Sequence, residues 1–287
     1  MDGDSARLTA QALREADRDR YFATLVLPEA ARPAVQALFA FSADVASVRD
    51  KVSNPAAGEI RLQWWHDALT GPGHGSVRAN PVADALLSAI SRYGLSTVPL
   101  LRLVAARRFD LYQDPMPDML SFEGYAGETA SVLFQYAAMI LNGGQEVPSG
   151  DAAGHLGVAQ ALVGHLRAFG FNAAQGRLFL PLDHFAAHGV SEGEIFSGQA
   201  GDGLRAARQA LIQAASGHLT EAEQAIRAAP RPLRAAFALL PVLQFQLKQL
   251  DNPQQNPFAA PPDLADWRKI ALLGLWAWRN ARGKNEP

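Results

Sequence analysis

The sequence contains no cysteine, which excludes disulfide bonds, thiol catalysis and cysteine-ligated metal sites. It also lacks a run of basic residues. In total, 26 Lys and Arg residues are balanced by 28 Asp and Glu residues, which gives a net charge of −2. We therefore expect no nucleic-acid partner. Nowhere do eighteen apolar residues follow one another, so no segment is expected to span a membrane.

The first twenty residues alternate acidic, basic and small side chains. A signal peptide would show an apolar run here, and a transit peptide would be rich in arginine and poor in acids. We therefore expect a cytoplasmic protein, with peripheral contact at the inner membrane as an alternative.

Apolar residues recur at helical spacing along nearly the whole chain. Leu38, Phe41, Val45 and Val48 follow one another by three or four residues, which places them on one face of a helix. No segment alternates with a period of two for long enough to predict a sheet. With 287 residues, 48% of them hydrophobic, the chain can form one large helical domain, which we predict over residues 1–287. The predicted helices after the first cover residues 57–70, 81–92, 96–113, 119–141, 152–172, 203–228, 231–249 and 264–281.

Two separate segments carry a resemblance to a known family. The first reads YFATLVLP at residues 21–28, followed by Arg32 and by LFAF at residues 38–41. The second starts at Gly154 and ends with GRLFLP at residues 176–181. Together they resemble the squalene/phytoene synthase family, most clearly between residues 21 and 190. The resemblance implies the isoprenoid synthase fold, an all-α bundle around a central cavity.

In that family, two aspartate-rich helices hold magnesium ions that neutralise the diphosphate leaving group of a prenyl substrate. The resemblance places the aspartates of the first helix at Ala46, Ser47 and Asp50, and those of the second at Ala168 and Asn172. Only Asp50 is a carboxylate. We therefore predict that the magnesium site is lost, that no metal or other cofactor is bound, and that the protein is catalytically degenerate.

Other aspartates do not restore the pattern within one helix. Asp44 lies six residues before Asp50, about 120° around the helix, and Arg49 adds a cation that opposes metal binding. Asp110 and Asp114 are four residues apart, but a proline follows Asp114, so we interpret this pair as a solvated helix end. Sequence spacing leaves open whether these four aspartates converge in the fold.

Residues 41–53 and YAGETAS at residues 125–131 are similar to one branch of the family, which assists the assembly of respiratory complex I. This resemblance implies a helper in building NADH:ubiquinone oxidoreductase, with a complex I subunit or an assembly intermediate as its protein partner. The first alternative is an active, magnesium-dependent prenyltransferase that condenses two prenyl diphosphates. The second is a module that binds a lipid or isoprenoid in the cavity without reaction.

The candidate residues of a cavity or partner site either match family positions or lie in the polar and aromatic segment 59–65. They are Tyr21, Arg32, Asp50, Glu59, Arg61, Trp64, Trp65, Glu128, Arg167, Asn172 and Arg177.

The last predicted helix is amphipathic. Trp267 and Trp278 bound an apolar stretch with basic residues at its ends, including Arg279, Arg282 and Lys284. Such a helix can lie on an anionic membrane surface, or it can be the last core helix with solvated ends. The broad apolar face favours the core interpretation.

Overall fold

The computed structural model describes residues 3–71, 76–252 and 255–281, and within these ranges the chain forms helices and turns without any strand. The all-α prediction is therefore confirmed. The α-helices are α1 (Gly3–Ala16), α2 (Arg18–Thr24), α3 (Arg32–Ala46), α4 (Val48–Lys51), α5 (Pro55–Thr70), α6 (Pro81–Tyr93), α7 (Val98–Ala106), α8 (Met119–Ala126), α9 (Val132–Leu141), α10 (Gly150–Arg167), α11 (Phe169–Ala173), α12 (Leu182–Ala186), α13 (Glu192–Phe196), α14 (Asp202–Ala228), α15 (Leu240–Leu250) and α16 (Asp266–Ala281). Shorter 3₁₀ segments occupy Val77–Ala79, Arg107–Leu111 and Arg231–Phe237, and a π-helical turn occupies Gly127–Ser131.

Several helix ends follow directly from the sequence. Before α5 and α6 stand Asn54 and Asn80, whose side chains accept hydrogen bonds from backbone N–H groups of the first turn. A proline begins each of these helices, at a position where no intrahelical N–H bond is lost. Gly94 ends α6 in the left-handed conformation, with φ of 61°.

The structure departs from the predicted helices at several places. The segments predicted over 96–113 and 231–249 each contain a 3₁₀ segment, Arg107–Leu111 and Arg231–Phe237. The segment predicted as one helix over 119–141 contains the π-helical turn between α8 and α9. The segment predicted over 152–172 breaks at Ala168, between α10 and α11. Helix α1 was not predicted, because its many charges conceal a narrow buried face that includes Thr9 and Leu13.

Helix α10 lies at the centre of the bundle. It packs along α14 and also contacts α9, α15 and the π-helical turn, while α1 packs on α3 and α6 at the other side. Gly157 of α10 lies against the backbone of Ser131, at a place where a Cβ atom would come within 2.5 Å of the Ser131 Cα. The absence of a side chain at this glycine therefore allows the two backbones to meet.

Helix α16 is a core helix on one face only. Leu273 is 1% exposed and Lys269 is 2% exposed, whereas Trp267 is 67% exposed and Ile270 is 47% exposed. The interpretation of this segment as a core helix is therefore correct for one face of the helix, and the opposite face is exposed. Of the basic residues beyond it, Arg282 and Lys284 lie outside the described residues. None of the described helices combines the length and the apolar character that a membrane crossing needs.

Candidate functional site

A cavity of about 510 Å³ opens between α3, α4, α8 and α10, beside the turn that joins α1 to α2. Ala46, Ser47 and Asp50 line it from the end of α3 and from α4, and Ala168 lines it from the end of α10. The fold therefore brings together four of the five positions at which the family resemblance places aspartates. The fifth, Asn172, is 4% exposed and lies outside the cavity wall, where its Oδ1 has no hydrogen-bond partner.

The side chains at these positions do not fit a magnesium ion. Ala46 and Ala168 have no ligand atom, and the Ser47 hydroxyl donates to the carbonyl of Asp44 at 2.7 Å. Magnesium requires hard, preferably anionic oxygen ligands in octahedral geometry. Among the residues that the structure describes, no group of three or more His, Cys, Asp or Glu side chains could hold a metal ion. Asp50, the remaining carboxylate, forms ion pairs with arginines, Arg49 at 3.5 Å and Arg177 at 3.7 Å.

Asp44 and Asp114 do not join Asp50. The Asp44 carboxylate accepts a hydrogen bond from the Trp65 indole at 2.9 Å and one from Lys51 at 3.1 Å. Asp114 is exposed. The four aspartates whose convergence the sequence left open therefore form no metal cluster.

The interpretation of Asp110 as part of a solvated helix end is wrong. Asp110 is 2% exposed, and its carboxylate accepts hydrogen bonds from Arg107 at 2.9 Å and from the Tyr125 hydroxyl at 2.6 Å. Arg107 also donates to the Tyr125 oxygen at 2.8 Å. The prediction failed because Tyr125 reaches this pair from α8, a contact that local spacing does not reveal.

Protonation states in this group follow from burial and charge. Burial raises the pKa of Tyr125 far above its ordinary value, so its hydroxyl keeps the proton that it donates. Burial alone would lower the pKa of Arg107, but its interactions with Tyr125 and Asp110, including a hydrogen bond to each, outweigh burial and raise that pKa. Arg107 therefore stays a cation inside the cavity wall.

Arg20 enters the same cavity from α2 and is 7% exposed. Its terminal nitrogens donate to Gln160 at 3.1 Å and to Ser42 at 3.4 Å. Asp17, which caps α2, has a carboxylate oxygen 3.6 Å from the Arg20 Nε. Burial lowers the pKa of Arg20, and the nearby charge of Arg107 adds to this effect, whereas Asp17 opposes it.

His165 lies on the α10 side of the cavity, stacked on Phe179 with 5.1 Å between ring centroids. The Arg49 guanidinium also lies over Phe179, 4.6 Å from the ring centroid. Burial, followed by the positive charges of Arg49 and Arg107, lowers the pKa of His165 to about 3. His165 is therefore neutral at physiological pH.

Of the candidate residues, Asp50 and Arg177 meet beside this cavity. Glu59 forms a separate surface group, since it pairs with Arg108 at 3.1 Å and accepts a hydrogen bond from Tyr112 at 3.2 Å. Arg61 is exposed on the same helix. Trp64 packs edge-on against Trp65, with 5.0 Å between ring centroids, and the pair faces α3.

The other candidates lie away from the cavity. Tyr21 lines an outer groove beneath Arg14, and Arg32 donates to the carbonyls of residues 25 and 27 at 3.2 and 3.1 Å, which fixes the turn before α3. Arg167 ties the end of α10 to Asp263 at 3.2 Å. Glu128 is half-buried in the π-helical turn and is absent from the cavity wall.

Sequence reasoning did not single out Arg20, Arg107 or His165, which dominate the cavity. Arg20 stands in a charged N-terminal segment that carries no family motif, and Arg107 lies three residues before Asp110, in a segment without a family motif. One sequence signal was available for this arginine cluster: Arg49 stands between Ser47 and Asp50, within the first lost aspartate motif.

Comparison with known proteins places the chain among related sequences and folds. The profile of the squalene/phytoene synthase family matches residues 13–268. NADH dehydrogenase (ubiquinone) complex I, assembly factor 6, of Bos taurus is 29% identical over 275 residues, which cover 95% of this chain and 82% of that protein. The 15-cis-phytoene synthase of Synechococcus elongatus is 25% identical over 268 residues, which cover 88% of this chain and 86% of that enzyme. A solved dehydrosqualene synthase with bound ligand superposes with a TM-score of 0.76 at 20% identity, covering 95% of each chain. The protein therefore belongs to the squalene/phytoene synthase family.

Proposed function

We propose that this protein is a catalytically degenerate squalene/phytoene synthase that assists the assembly of respiratory complex I. The observation that carries the proposal is a cavity in the family's position whose metal-binding positions hold Ala46, Ser47 and Ala168. The fold is retained, while the oxygen ligands that would bring magnesium to a diphosphate are replaced by methyl and hydroxyl groups. The proposal requires no cofactor.

Similarity to named relatives supports the assembly role. Complex I assembly factor 6 of Bos taurus and of Homo sapiens are each 29% identical to this chain, over 95% and 94% of its length. The match therefore extends across nearly all the helices of the bundle rather than one motif. We infer that the partner is a complex I subunit or an assembly intermediate.

Membrane contact through α16 is part of the proposal, because respiratory complex I is built in a membrane. Trp267 and Ile270 stand on the exposed face of this helix, with Leu275 45% exposed further along. Arg268 and Arg279 are exposed beside them, which suits an anionic phospholipid surface. We therefore propose a peripheral position at the cytoplasmic face of the inner membrane.

Deleting the gene in its source organism tests the assembly role. We expect native gels stained for NADH dehydrogenase activity to show less mature complex I and an accumulated subcomplex, with recovery when the wild-type gene is restored. Fully assembled complex I in the deletion strain would refute the assembly role.

Turnover of farnesyl and geranylgeranyl diphosphate tests the loss of catalysis. The purified, folded protein is incubated with each labelled substrate, with and without magnesium and NADPH, beside a denatured sample. We expect no squalene, phytoene or released diphosphate above the denatured control. Product formation would instead establish the prenyltransferase alternative, with an unfamiliar set of metal ligands.

Flotation with phosphatidylglycerol-containing vesicles tests the membrane contact. The double substitution Trp267→Ser and Ile270→Ser should abolish co-flotation, because both apolar side chains are exposed on α16. The matched control changes Ile60→Ser and Leu120→Ser, which are 72% and 81% exposed on other helices, and should float like the wild type. Equal loss in both double variants would show that general surface hydrophobicity, and not α16, drives the association.

A further inference from the structure

Unsatisfied hydrogen-bond donors cluster in the central cavity. Within the described ranges, five arginine Nε groups are buried without a hydrogen-bond partner, and three of the five belong to arginines that line this cavity. A buried donor without a partner destabilises the protein, because it has lost its hydrogen bonds to water and gained none in return. Three unsatisfied donors in the wall of one cavity indicate that a ligand with hydrogen-bond acceptors completes the site. The three are Arg20, Arg49 and Arg107.

The three arginines act on one another and on the same neighbours. The charge of Arg107 contributes to the lowered pKa of Arg20, and Arg49 and Arg107 together lower the pKa of His165. The guanidinium groups therefore project positive potential into a common space. Since His165 is held neutral, it adds no charge but can accept or donate a hydrogen bond there.

The carboxylates around the cavity do not balance this charge. Four guanidinium groups, those of the three wall arginines and Arg177, face three carboxylates. The Asp110 carboxylate accepts hydrogen bonds from Arg107 and Tyr125. Asp50 is half-exposed and forms ion pairs with Arg49 and Arg177. Burial raises the pKa of Asp17, and its carboxylate lies beside Arg20 alone among the wall arginines. The wall thus has an excess of positive charge.

We propose that this cavity binds a phosphate or diphosphate group directly on Arg20, Arg49 and Arg107, without a magnesium ion between protein and ligand. Guanidinium groups match phosphate oxygens in geometry and form strong charge-assisted hydrogen bonds. The cations that a magnesium-dependent site would recruit from solution are here supplied by side chains of the chain itself. This inference rests on the catalytically degenerate cavity of the proposed function and adds a ligand to it.

The remainder of the ligand is organic. The cavity of about 510 Å³ is far larger than a phosphate group. Beyond the arginines its wall is built mainly of small side chains, which suit an apolar chain or ester group: Ala16, Ala43, Ala46, Ala130, Ala161 and Ala168. The ligand class is therefore an organic phosphate, either a soluble ester or a lipid headgroup.

Calorimetric titration of the purified full chain with inorganic diphosphate tests the site. Binding should be the same in EDTA and in magnesium-containing buffer. Arg49→Gln should weaken it by at least about tenfold, because one charge-assisted hydrogen bond is worth roughly that factor. Arg49→Lys should recover part of the affinity. The matched control is Arg61→Gln, an exposed arginine outside the cavity, which should bind like the wild type.

A second variant separates a loss of binding from a loss of folding. Ala46 is partly exposed on the cavity wall, so Ala46→Asp places a carboxylate among the arginines with little effect on packing. We expect it to unfold at the same temperature as the wild type and to lose diphosphate binding in EDTA by at least about tenfold. Unchanged affinity in both cavity variants would overturn the proposal.

The outcomes separate this inference from the proposed function. Diphosphate binding that requires magnesium would overturn both the metal-free site and the catalytic degeneracy. Absence of binding by inorganic phosphate, diphosphate and phosphate-bearing vesicles would overturn the inference alone and leave the assembly role standing.

The source of the phosphate is distinguished by vesicles. Phosphatidic acid in a phosphatidylcholine vesicle presents the group as a lipid headgroup, and inorganic diphosphate presents it free in solution. If the lipid is the ligand, Arg49→Gln reduces retention on phosphatidic acid vesicles and soluble diphosphate competes for it. If a soluble ester is the ligand, diphosphate binds to the free protein but vesicle retention is the same in wild type and Arg49→Gln.

Discussion

The Tyr125 hydroxyl donates a 2.6 Å hydrogen bond to the Asp110 carboxylate, across fifteen residues of sequence. Arg107 binds the same carboxylate, so Asp110 is the only anion in this three-residue group. Asp110→Asn should lower the free energy of unfolding by on the order of 3 kcal/mol, because it leaves a buried arginine uncompensated. Urea denaturation followed by circular dichroism measures the loss.

Asp114→Asn is the matched control, since Asp114 is four residues away and exposed. Its substitution should change the unfolding free energy by no more than about 0.5 kcal/mol. If the two variants were equally stable, the buried ion pair would contribute nothing, and the cavity arginine would be held by other contacts.

The pH dependence of stability should carry a contribution from His165. Its pKa in the folded state is lowered to about 3 by burial and by the charges of Arg49 and Arg107, whereas an unfolded histidine titrates near 6.5. The unfolded chain therefore binds a proton first. The contribution is fully present above about pH 6.5 and is lost as the pH falls toward 3, by up to about 1.4 kcal/mol per pH unit.

Replacing the ring isolates this contribution from the titrating carboxylates. His165→Gln should flatten the decline in unfolding free energy between about pH 6.5 and pH 4, measured by urea denaturation at several pH values. His188→Gln, at an exposed position, should leave the slope as it is in the wild type. Parallel slopes in all three proteins would mean that the His165 pKa is close to its ordinary value.

The fold was largely predictable because it depends on local patterns. Apolar spacing and proline positions indicated helices that coincide with α5, α6 and α14 to within two residues. Helix α1 escaped prediction because its buried face is narrow, and only Thr9 and Leu13 are buried on it. The charge pattern and the helix propensity of this segment do not show whether the helix packs on α3 or is surrounded by solvent.

Of the cavity, only the positions of the lost aspartates were predictable from the sequence. Family resemblance placed Ala46, Ser47 and Ala168 together, and the fold does bring them to one wall. The arginines come from α2, α4 and the 3₁₀ segment after α7, so their approach is a tertiary property with no sequence spacing of its own. Asp110 shows the same limit, since its partner Tyr125 lies on another helix.

Lys269 should hold α16 on the bundle. It is 2% exposed, and its ammonium group binds Asp19 at 2.5 Å and Asp263 at 2.6 Å. Lys269→Met should lower the unfolding free energy by about 2 kcal/mol, because it removes the charge that compensates two carboxylates. Hydrogen exchange in α16 should then be faster in the variant than in the wild type, and this increase should be larger in α16 than in α10.

Lys248→Met is the control, because Lys248 is exposed on α15. It should leave both the stability and the exchange of α16 unchanged. If Lys269→Met also left the exchange of α16 unchanged, apolar packing through Leu273 would be sufficient to hold the helix.

Gly157 determines how closely α10 approaches the π-helical turn, and with it the position of the cavity wall that carries Gln160 and His165. Gly157→Ala should lower the unfolding free energy by about 2 kcal/mol, because the new methyl group meets the Ser131 backbone, which cannot move aside as a flexible side chain would. Gly154→Ala, one turn earlier, meets no atom within 4 Å and should instead gain up to about 1 kcal/mol from helix propensity. Urea denaturation of the two variants compares a blocked and an open position on one helix. If Gly157→Ala were as stable as Gly154→Ala, the two backbones would lie farther apart than the structure places them, and the wall of the cavity would be free to shift.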